Sequence, residues 1–309
     1  MPDTPLIRLG TRRSPLAMAQ AHEARARLCA AHGWDESAVE LVPVVASGDR
    51  IQDRPLAEIG GKALWTRELD QWLMEDRIDA AVHSMKDVET LRPEEIAIAA
   101  ILPRADKADR LLGADTIAAI PAGARVGTSA PRRAAQLLHA RPDLEVVGIR
   151  GNVATRMGKL AAGEADATFL AAAGLDRLGE DDIGIRLDPA EWLPAPAQAA
   201  IGIECRSADT RVRDILAAID DAPSHAEVAA ERRLLEGLGG SCHSPVAALS
   251  RIEGDELVLR AAIYSAEGAI RIEDEARFAR TDREAARALA LSLLKDAPEQ
   301  VRSLFDGAA

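Results

Sequence analysis

Arginine side chains gather where predicted strands end and predicted helices begin. Only five of the 38 basic residues are lysine, so guanidinium groups carry most of the positive charge. A helix N-terminus presents free N–H groups, and arginine adds a planar fork that matches a carboxylate or phosphate. The pattern indicates a ligand with several anionic groups, although a solvated face or an internal salt bridge is the alternative for each arginine taken alone. The arginines at such positions are Arg12, Arg13, Arg132, Arg133, Arg150, Arg156 and Arg177.

An aspartate and a cysteine are further candidates for chemistry. Asp87 lies in His83-Ser-Met-Lys-Asp87-Val88, after a short apolar strand, where an open parallel sheet places its ligand crevice. A capping aspartate is the alternative interpretation. Cys242 lies in the glycine-containing loop Leu238-Gly-Gly-Ser-Cys-His-Ser-Pro245, where an exposed thiol can act as a nucleophile or an attachment point. The alternative there is a spare loop cysteine.

The elements that position these residues follow a repeated pattern. From Leu6 to about Leu170, short apolar runs alternate with helical patterns, which predicts parallel α/β structure. The run Gly10-Thr-Arg-Arg-Ser-Pro15 is echoed by Gly127-Thr-Ser-Ala-Pro131-Arg-Arg133, and Ile78–Val82 is echoed by Ala165–Phe169. The echo favours two α/β lobes around a cleft, with a chance likeness of two α/β starts as the alternative.

The pattern changes after about residue 220. Ser224-His-Ala-Glu227 is a capping-box start for a helix to about Leu238. A hairpin through Glu267-Gly268 and a final helix capped by Thr281-Asp-Arg-Glu284 follow. These elements predict a third, smaller α+β domain.

Composition excludes several classes of protein. A net charge of −12 and 3% aromatic residues argue against a nucleic-acid partner. Three distant cysteines without a CxxC pair argue against a disulfide framework or a metal site. The chain has no apolar run of about 18 residues, and its first residues lack a basic segment followed by an apolar one, so we expect no membrane association and a cytoplasmic location.

Seven segments together resemble the porphobilinogen deaminase (hydroxymethylbilane synthase) family, over essentially the whole chain. The segments are Gly10-Thr-Arg12 with Ser14-Pro-Leu-Ala17, Gly60-Gly-Lys62, His83-Ser-Met-Lys-Asp-Val88, Gly127-Thr-Ser129 with Arg132-Arg133, Arg150-Gly-Asn-Val153 with Arg156, Ala173-Gly-Leu175 with Arg177, and Ile201-Gly-Ile-Glu-Cys-Arg206. Cys242 falls in the loop where the family has its cysteine.

The resemblance implies an α/β fold with two lobes like those of type II periplasmic binding proteins and a small C-terminal α+β domain. We place lobe 1 at residues 1–102 and 197–219, lobe 2 at 103–196, and the cofactor-attachment domain at 220–309. The implied activity joins four porphobilinogen molecules head to tail with loss of ammonia, then hydrolyses off linear hydroxymethylbilane for porphyrin and heme biosynthesis. The product grows on a dipyrromethane cofactor in thioether linkage to the cysteine matching Cys242. The resemblance also favours a monomer without a metal.

The resemblance assigns roles to individual residues. Asp87 matches the catalytic aspartate, whose carboxylate can stabilise the cation left when ammonia departs. The implied cofactor-binding residues are Cys242, Lys86, Ser129, Arg132, Arg133 and Asp87. The implied substrate-binding residues are Arg12, Ser14, Thr128, Arg150, Arg156, Arg177, Gln198, Lys62 and Trp65.

Some positions depart from the usual family pattern. Ser241 replaces a glycine of the cofactor loop, Ala130-Pro131 stands where serine-leucine is common, and Glu58 replaces a lysine. Trp65 takes a position usually held by phenylalanine, and Ala197-Gln198-Ala199 replaces a Gly-Gln-Gly hinge, which we expect to stiffen the crossover between lobes. Two other functions fit the residues alone: a two-lobed anion-binding module without catalysis, and an unrelated transferase that uses Cys242 as a transient nucleophile.

Overall fold

The computed structural model describes residues 5–44, 66–241, 243–282 and 284–305. Its strands are β1 (Ile7–Arg12), β2 (Val39–Val44), β3 (Ala80–Ser84), β4 (Ile96–Ile101), β5 (Asp109–Leu112), β6 (Arg125–Gly127), β7 (Glu145–Val147), β8 (Ala167–Ala171), β9 (Ile185–Arg186), β10 (Ile201–Arg206), β11 (Val246–Glu253), β12 (Glu256–Tyr264) and β13 (Arg271–Ala279). Its α-helices are α1 (Pro15–His32), α2 (Arg67–Met74), α3 (Pro131–Ala140), α4 (Val153–Ala161), α5 (Ala172–Asp176), α6 (Thr210–Ala217), α7 (Ala222–Leu238), α8 (Ala285–Lys295) and α9 (Glu299–Arg302).

The chain divides into two compact units. Unit 1 comprises Met1–Ala105 and Ala200–His225, and unit 2 comprises Asp106–Ala199 and Ala226–Ala309. Because residues 106–199 and 226–309 fall in one unit, the division into three domains stays a prediction. The fold class itself is confirmed: two α/β sheets are accompanied by an α+β segment.

Unit 1 is built on the sheet β2-β1-β3-β10-β4. Strand β1 pairs in parallel with β2 and β3, whereas β10 runs antiparallel to both β3 and β4. The core between this sheet and α1 includes Ile7, Leu9, Leu28, Val82 and Ile203, all 3% exposed or less. The predicted parallel α/β structure extends from Leu6 to about Leu170 and did not include β10, because a strand contributed from about 100 residues further along the chain gives no local sequence signal.

The first sheet of unit 2 repeats that arrangement in the order β7-β6-β8-β5-β9. Here β6 pairs in parallel with β7 and β8, and β5 is the antiparallel strand, pairing with β8 and β9. Its core packs around Phe169 and Trp192, whose rings stack at 4.9 Å between centroids. Each five-stranded sheet thus consists of three parallel strands, an antiparallel fourth strand and a fifth strand that runs antiparallel to the fourth.

The echo in the sequence corresponds to matching contacts in the two sheets. The backbone N–H of Arg8 donates to the Asp79 carboxylate at 2.7 Å, and that of Arg125 donates to Asp166 at 2.7 Å. A Cβ on Gly10 would overlap Ile78, and one on Gly127 would overlap Ile149. Glycine suits both strands because a neighbouring isoleucine side chain occupies the space that a Cβ would need.

The remainder of unit 2 is the antiparallel meander β11-β12-β13, covered by helices. Its core combines residues of α7, the sheet and α8, including Leu234, Leu259, Ile263 and Leu293. Tyr264 of β12 is fully buried, and its hydroxyl donates to Gln136 of α3 at 3.1 Å. This contact joins the meander to the first sheet within unit 2.

The caps of the two late helices differ from the prediction. Helix α7 begins at Ala222. The carboxylate of Asp221 accepts the backbone N–H of Ser224 at 2.9 Å, so Asp221 caps this helix in place of the predicted Ser224. Helix α8 begins at Ala285, and Asp282, not Thr281, accepts its first N–H at 3.1 Å. In both cases a nearby aspartate competes successfully with a hydroxyl for the orphan N–H groups.

Candidate functional site

Asp87 lies on a tight turn at the carboxyl end of β3. The turn, Met85–Asp87, is 3₁₀-helical, and Asp87 itself is half-buried. Met85 is buried against β10, where a Cβ on Gly202 would overlap its sulfur, and its backbone N–H donates to Ala200 at 3.0 Å. The glycine therefore makes room for Met85, and Met85 fixes the backbone that carries Asp87.

Two other predicted site residues lie at the same edge of the unit 1 sheet. Arg12 is the last residue of β1, the parallel neighbour of β3, and Ser14 caps α1 by accepting the N–H of Ala17 at 3.3 Å. Gln20 of α1 donates to the Ser84 hydroxyl at 2.8 Å, which ties the helix to the end of β3. Since the carboxyl ends of parallel strands meet at one edge, Arg12, Ser14, Lys86 and Asp87 share that edge.

A buried cluster of charged and polar side chains includes residues on both sides of the Asp87 turn along the chain, and the sequence did not indicate this cluster. Glu204 of β10 is fully buried and accepts two hydrogen bonds from Arg92, each 2.9 Å long. The Nε2 of His83 lies 3.3 Å from a Glu204 oxygen, without hydrogen-bond geometry. Arg92 also donates to Asp70 at 2.5 Å and to Glu89 at 3.0 Å.

The cluster keeps Glu204 ionised. Burial acts to raise its pKa, but contact with His83 and the charge and hydrogen bonds of Arg92 prevail, so that the pKa is about 2. The pKa of Arg92 is raised: its burial acts against this, and the Asp70 and Glu204 carboxylates outweigh it. His83 belongs to the same motif as Asp87, so the motif contains a buried residue in contact with Glu204 as well as the candidate catalytic carboxylate.

In unit 2, two predicted hydroxyl ligands follow β6. Thr128 is buried, and its Oγ1 accepts the N–H of Ala130 at 3.1 Å. Ser129 donates its hydroxyl to the backbone oxygen of Ile149 at 2.9 Å. Both hydroxyls therefore help to hold the loop between β6 and α3, and their binding roles stay predictions.

Arg132 and Arg133, the arginine pair at the start of α3, have an anionic partner inside the protein. Both are buried, at 4% and 5% exposed, and both donate to the carboxylate of Asp109, which is fully buried. Burial acts to raise the pKa of Asp109, but the two guanidinium charges hold it well below its usual range. Burial lowers the pKa of Arg132, against the attraction of Asp109. The sequence indicates that the pair needs an anion and leaves an internal salt bridge open as an alternative, but no local pattern identifies Asp109 as the partner.

The remaining predicted arginines of unit 2 lie beyond the ends of β7 and β8 and are half-buried. Arg150 follows β7, and Arg156 of α4 donates to the backbone oxygen of Gly151 at 2.9 Å. Arg177 caps α5 and donates to the backbone oxygen of Ala199 at 3.1 Å. Along the chain these residues, like Thr128 and Ser129, come after the carboxyl ends of the parallel strands of this sheet, and their binding roles stay predictions.

Gln198 is buried at the end of the crossover that leaves unit 2. Its amide donates to the Asp109 carboxylate at 2.9 Å and to the backbone oxygen of Lys107 at 2.7 Å. The same carboxylate therefore holds Gln198 and the arginine pair.

Three predicted site residues, Cys242, Lys62 and Trp65, lie outside the described residues, as does Glu58. On either side of Cys242, the N–H of Ser241 donates to the Ser244 hydroxyl at 3.1 Å, and the N–H of Ser244 donates to the Ser241 oxygen at 3.0 Å. Ser241 and His243 are exposed. The attachment role of Cys242 stays a prediction.

The described part of the chain contains no cluster of three or more histidine, cysteine or acidic side chains arranged to hold a metal ion. Of its helices, none combines the length and the apolar character needed to cross a membrane.

Comparison with known proteins identifies the family. The family model described as "Porphobilinogen deaminase, dipyromethane cofactor binding domain" matches residues 7–214, and "Porphobilinogen deaminase, C-terminal domain" matches residues 225–297. The chain belongs to the porphobilinogen deaminase family. It is 57% identical over 310 residues to the porphobilinogen deaminase of Sphingopyxis alaskensis, with 98% of each chain covered. It is 51% identical over 265 residues to that of Paracoccus denitrificans, with 85% of each covered.

Solved structures of bacterial proteins are similar to part of this chain. One is the VFT2 domain of Bordetella pertussis BvgS, at 18% identity and a TM-score of 0.42, covering 74% of this chain and 93% of that one. Another is the sulfonate-binding protein SsuA of Methylobacillus flagellatus, at 13% identity and a TM-score of 0.37, covering 73% of this chain and 66% of that one.

Proposed function

We propose that this protein is a hydroxymethylbilane synthase that joins four porphobilinogen molecules head to tail, releases one ammonia for each, and hydrolyses the linear product free. Similarity to a porphobilinogen deaminase over 98% of both chains carries the proposal. The cationic and acidic groups at the carboxyl edge of the unit 1 sheet support it, because the reaction needs both carboxylate binding and stabilisation of a cation.

The residues present suit a covalently held dipyrromethane, whose pyrrole rings carry acetate and propionate groups. The candidate donor set is rich in guanidinium groups, and Nε of Arg132 is buried without a partner among the described residues. We assign its attachment to Cys242 and its binding to Lys86, Asp87, Ser129, Arg132 and Arg133. When bound, the group supplies the free pyrrole position onto which the product is built.

Asp87 acts at the reacting centre. Loss of ammonia from porphobilinogen leaves a cation, and a carboxylate on a fixed turn stabilises that charge without reorganising. The backbone of the turn is held by Met85, so the carboxylate is positioned before substrate arrives.

The substrate carboxylates are bound by guanidinium and polar groups. We assign this binding to Arg12, Ser14, Thr128, Arg150, Arg156, Arg177 and Gln198, together with Lys62 and Trp65. Guanidinium forks bind carboxylates with two parallel hydrogen bonds, which explains the preference for arginine over lysine. We further propose that the protein acts as a cytoplasmic monomer without a nucleic-acid partner.

The mass of the intact purified protein tests the proposal. We expect a mass excess equal to two linked pyrrole units, lost in Cys242→Ala and kept in the control Cys29→Ala, which removes a half-buried thiol from α1. The wild type should consume porphobilinogen. A wild type without the excess that binds porphobilinogen reversibly would instead support an anion-binding module, and an excess that survives Cys242→Ala would contradict the attachment site.

A further inference from the structure

Asp109, the first residue of β5, is the centre of a buried hydrogen-bond network in unit 2. Its carboxylate is fully buried and accepts five hydrogen bonds from four side chains. The donors are Nη2 of Arg132 at 2.7 Å, Nε and Nη2 of Arg133 at 3.1 and 2.7 Å, Nε1 of Trp192 at 3.0 Å and Nε2 of Gln198 at 2.9 Å.

The donors come from three different parts of the chain. Arg132 and Arg133 belong to the first turn of α3, Trp192 lies in the segment after β9, and Gln198 lies in the crossover that follows it. A single guanidinium group balances the charge of a carboxylate, whereas Asp109 binds two. The oxygens of Asp109 therefore fix the relative positions of three side chains that we assign to cofactor or substrate binding.

The charge of the network points to a further anion. Two guanidinium groups face one carboxylate, which leaves one positive charge in excess in a buried place. The Nε of Arg132 is buried without a hydrogen-bond partner among the described residues. A buried, unpaired donor on a cation is costly unless a ligand or water satisfies it, so the network is incomplete without an acceptor.

We propose that Asp109 is a positioning residue for pyrrole carboxylates: it orients Arg132, Arg133 and Gln198 and leaves one net positive charge for a carboxylate of the bound pyrroles. The inference rests on the proposed function and deepens it. Asp109 acts through the arginines, and without its charge no anion lies between the two guanidinium groups to offset their mutual repulsion.

Asp109→Asn tests the inference by removing the charge while keeping the shape. We expect the fraction of purified protein that carries the two-pyrrole mass excess to fall at least twofold. In the loaded fraction, we expect KM for porphobilinogen to rise about tenfold and kcat to stay within about twofold of the wild-type value. This pattern results when a mutation weakens binding of the ground state and of the transition state equally.

Asp79→Asn is the matched control for simple destabilisation. Asp79 is 6% exposed and pairs with Arg8 at 2.9 Å, at the opposite, amino-terminal end of β3. The Asp79→Asn variant should have a lower melting temperature but an unchanged loaded fraction and an unchanged KM for porphobilinogen. If Asp79→Asn reproduced the loss of loading, or if Asp109→Asn kept wild-type loading and KM, the positioning role would be refuted.

Trp192→Phe gives a second test that does not depend on burying an unpaired cation. It removes one donor to Asp109 and keeps an aromatic ring to stack on Phe169. We expect a two- to threefold rise in KM, and an unchanged KM would contradict the inference even if Asp109→Asn failed to fold. A wild type without the mass excess or porphobilinogen consumption would instead refute the proposed function itself.

Discussion

Asp87 combines a half-buried carboxylate with a backbone that its neighbours hold in place. Met85 is packed against Gly202 on one side of the turn, and the buried His83–Glu204 contact lies just before it on β3. A carboxylate held in this way does not need to reorganise when charge develops next to it, and that is the condition under which electrostatic stabilisation is most effective.

Asp87→Asn should therefore separate catalysis from cofactor attachment. The amide keeps the size of the side chain but lacks the charge, so we expect porphobilinogen consumption to slow at least about a hundredfold. Intact mass should still show the two-pyrrole excess. The control Glu94→Gln removes an exposed carboxylate from the segment before β4 and should keep near-normal turnover. Near-normal turnover of Asp87→Asn would remove Asp87 from its role.

The sequence indicated the residues at strand ends but not their buried partners. Arg12, Ser14 and Asp87 could be placed because strand ends and helix starts have local signals that put side chains at one edge of a sheet. Asp109 and Glu204 could not, because their arginines are 23 and 112 residues away along the chain. Only the folded sheet brings such charges together, so the sequence left open whether Arg132 and Arg133 bind an external anion or form an internal salt bridge, and it did not identify Asp109 as a partner.

At the scale of elements, local patterns predicted the parallel strands and the helices but not the antiparallel insertion in each sheet. Helix α3, for example, begins at Pro131, whose fixed φ suits the first turn of a helix and is visible in the sequence. Strands β5 and β10 enter their sheets after the chain has crossed from one unit to the other, and periodicity carries no information about such pairing.

The crossover Ala197-Gln198-Ala199 is held in an unusual backbone conformation. Ala197 and Ala199 have φ of 58° and 69°, in the left-handed region that favours glycine. All three residues are anchored within unit 2: the N–H of Ala197 donates to the buried Glu231 at 2.5 Å, Gln198 donates to Asp109, and the oxygen of Ala199 accepts from Arg177. These contacts offset the strain of placing alanine there.

Ala199→Gly should consequently stabilise the protein slightly. Glycine removes the strain of the left-handed conformation, which stabilises the folded state by about 1–2 kcal/mol. Glycine also makes the unfolded chain more flexible, which costs only about 0.4–1 kcal/mol of stability. We expect the free energy of unfolding in urea to rise by about 0.5 kcal/mol. The control Ala200→Gly changes the next alanine, which does not have positive φ, and should cost about 0.5–1 kcal/mol. Equal losses in the two variants would show that position 199 is not strained.

At the scale of the whole molecule, each unit contains a fully buried carboxylate held by arginine. In unit 1 it is Glu204 with Arg92, and in unit 2 it is Asp109 with Arg132 and Arg133. Both have a lowered pKa, since in each case the opposing charges outweigh the effect of burial. Breaking such a pair by removing one partner leaves an uncompensated buried charge, which is strongly destabilising.

The stability of the protein should accordingly depend on pH in a defined window. The pKa of Glu204 is about 2 in the folded chain and 4.5 for an ordinary glutamate. The unfolded state binds the proton more readily, so Glu204 contributes stability above about pH 4.5, and this is lost as pH falls towards 2. The contribution is on the order of 3 kcal/mol.

Urea unfolding at intervals from pH 7 to 2.5 should show this decline in the wild type and a flatter profile in Glu204→Gln. The variant Glu145→Gln, which changes an exposed carboxylate on β7, should follow the wild type. A Glu204→Gln profile parallel to the wild type would mean that this carboxylate does not couple folding to protonation, and that Arg92 is satisfied by Asp70 and Glu89 alone.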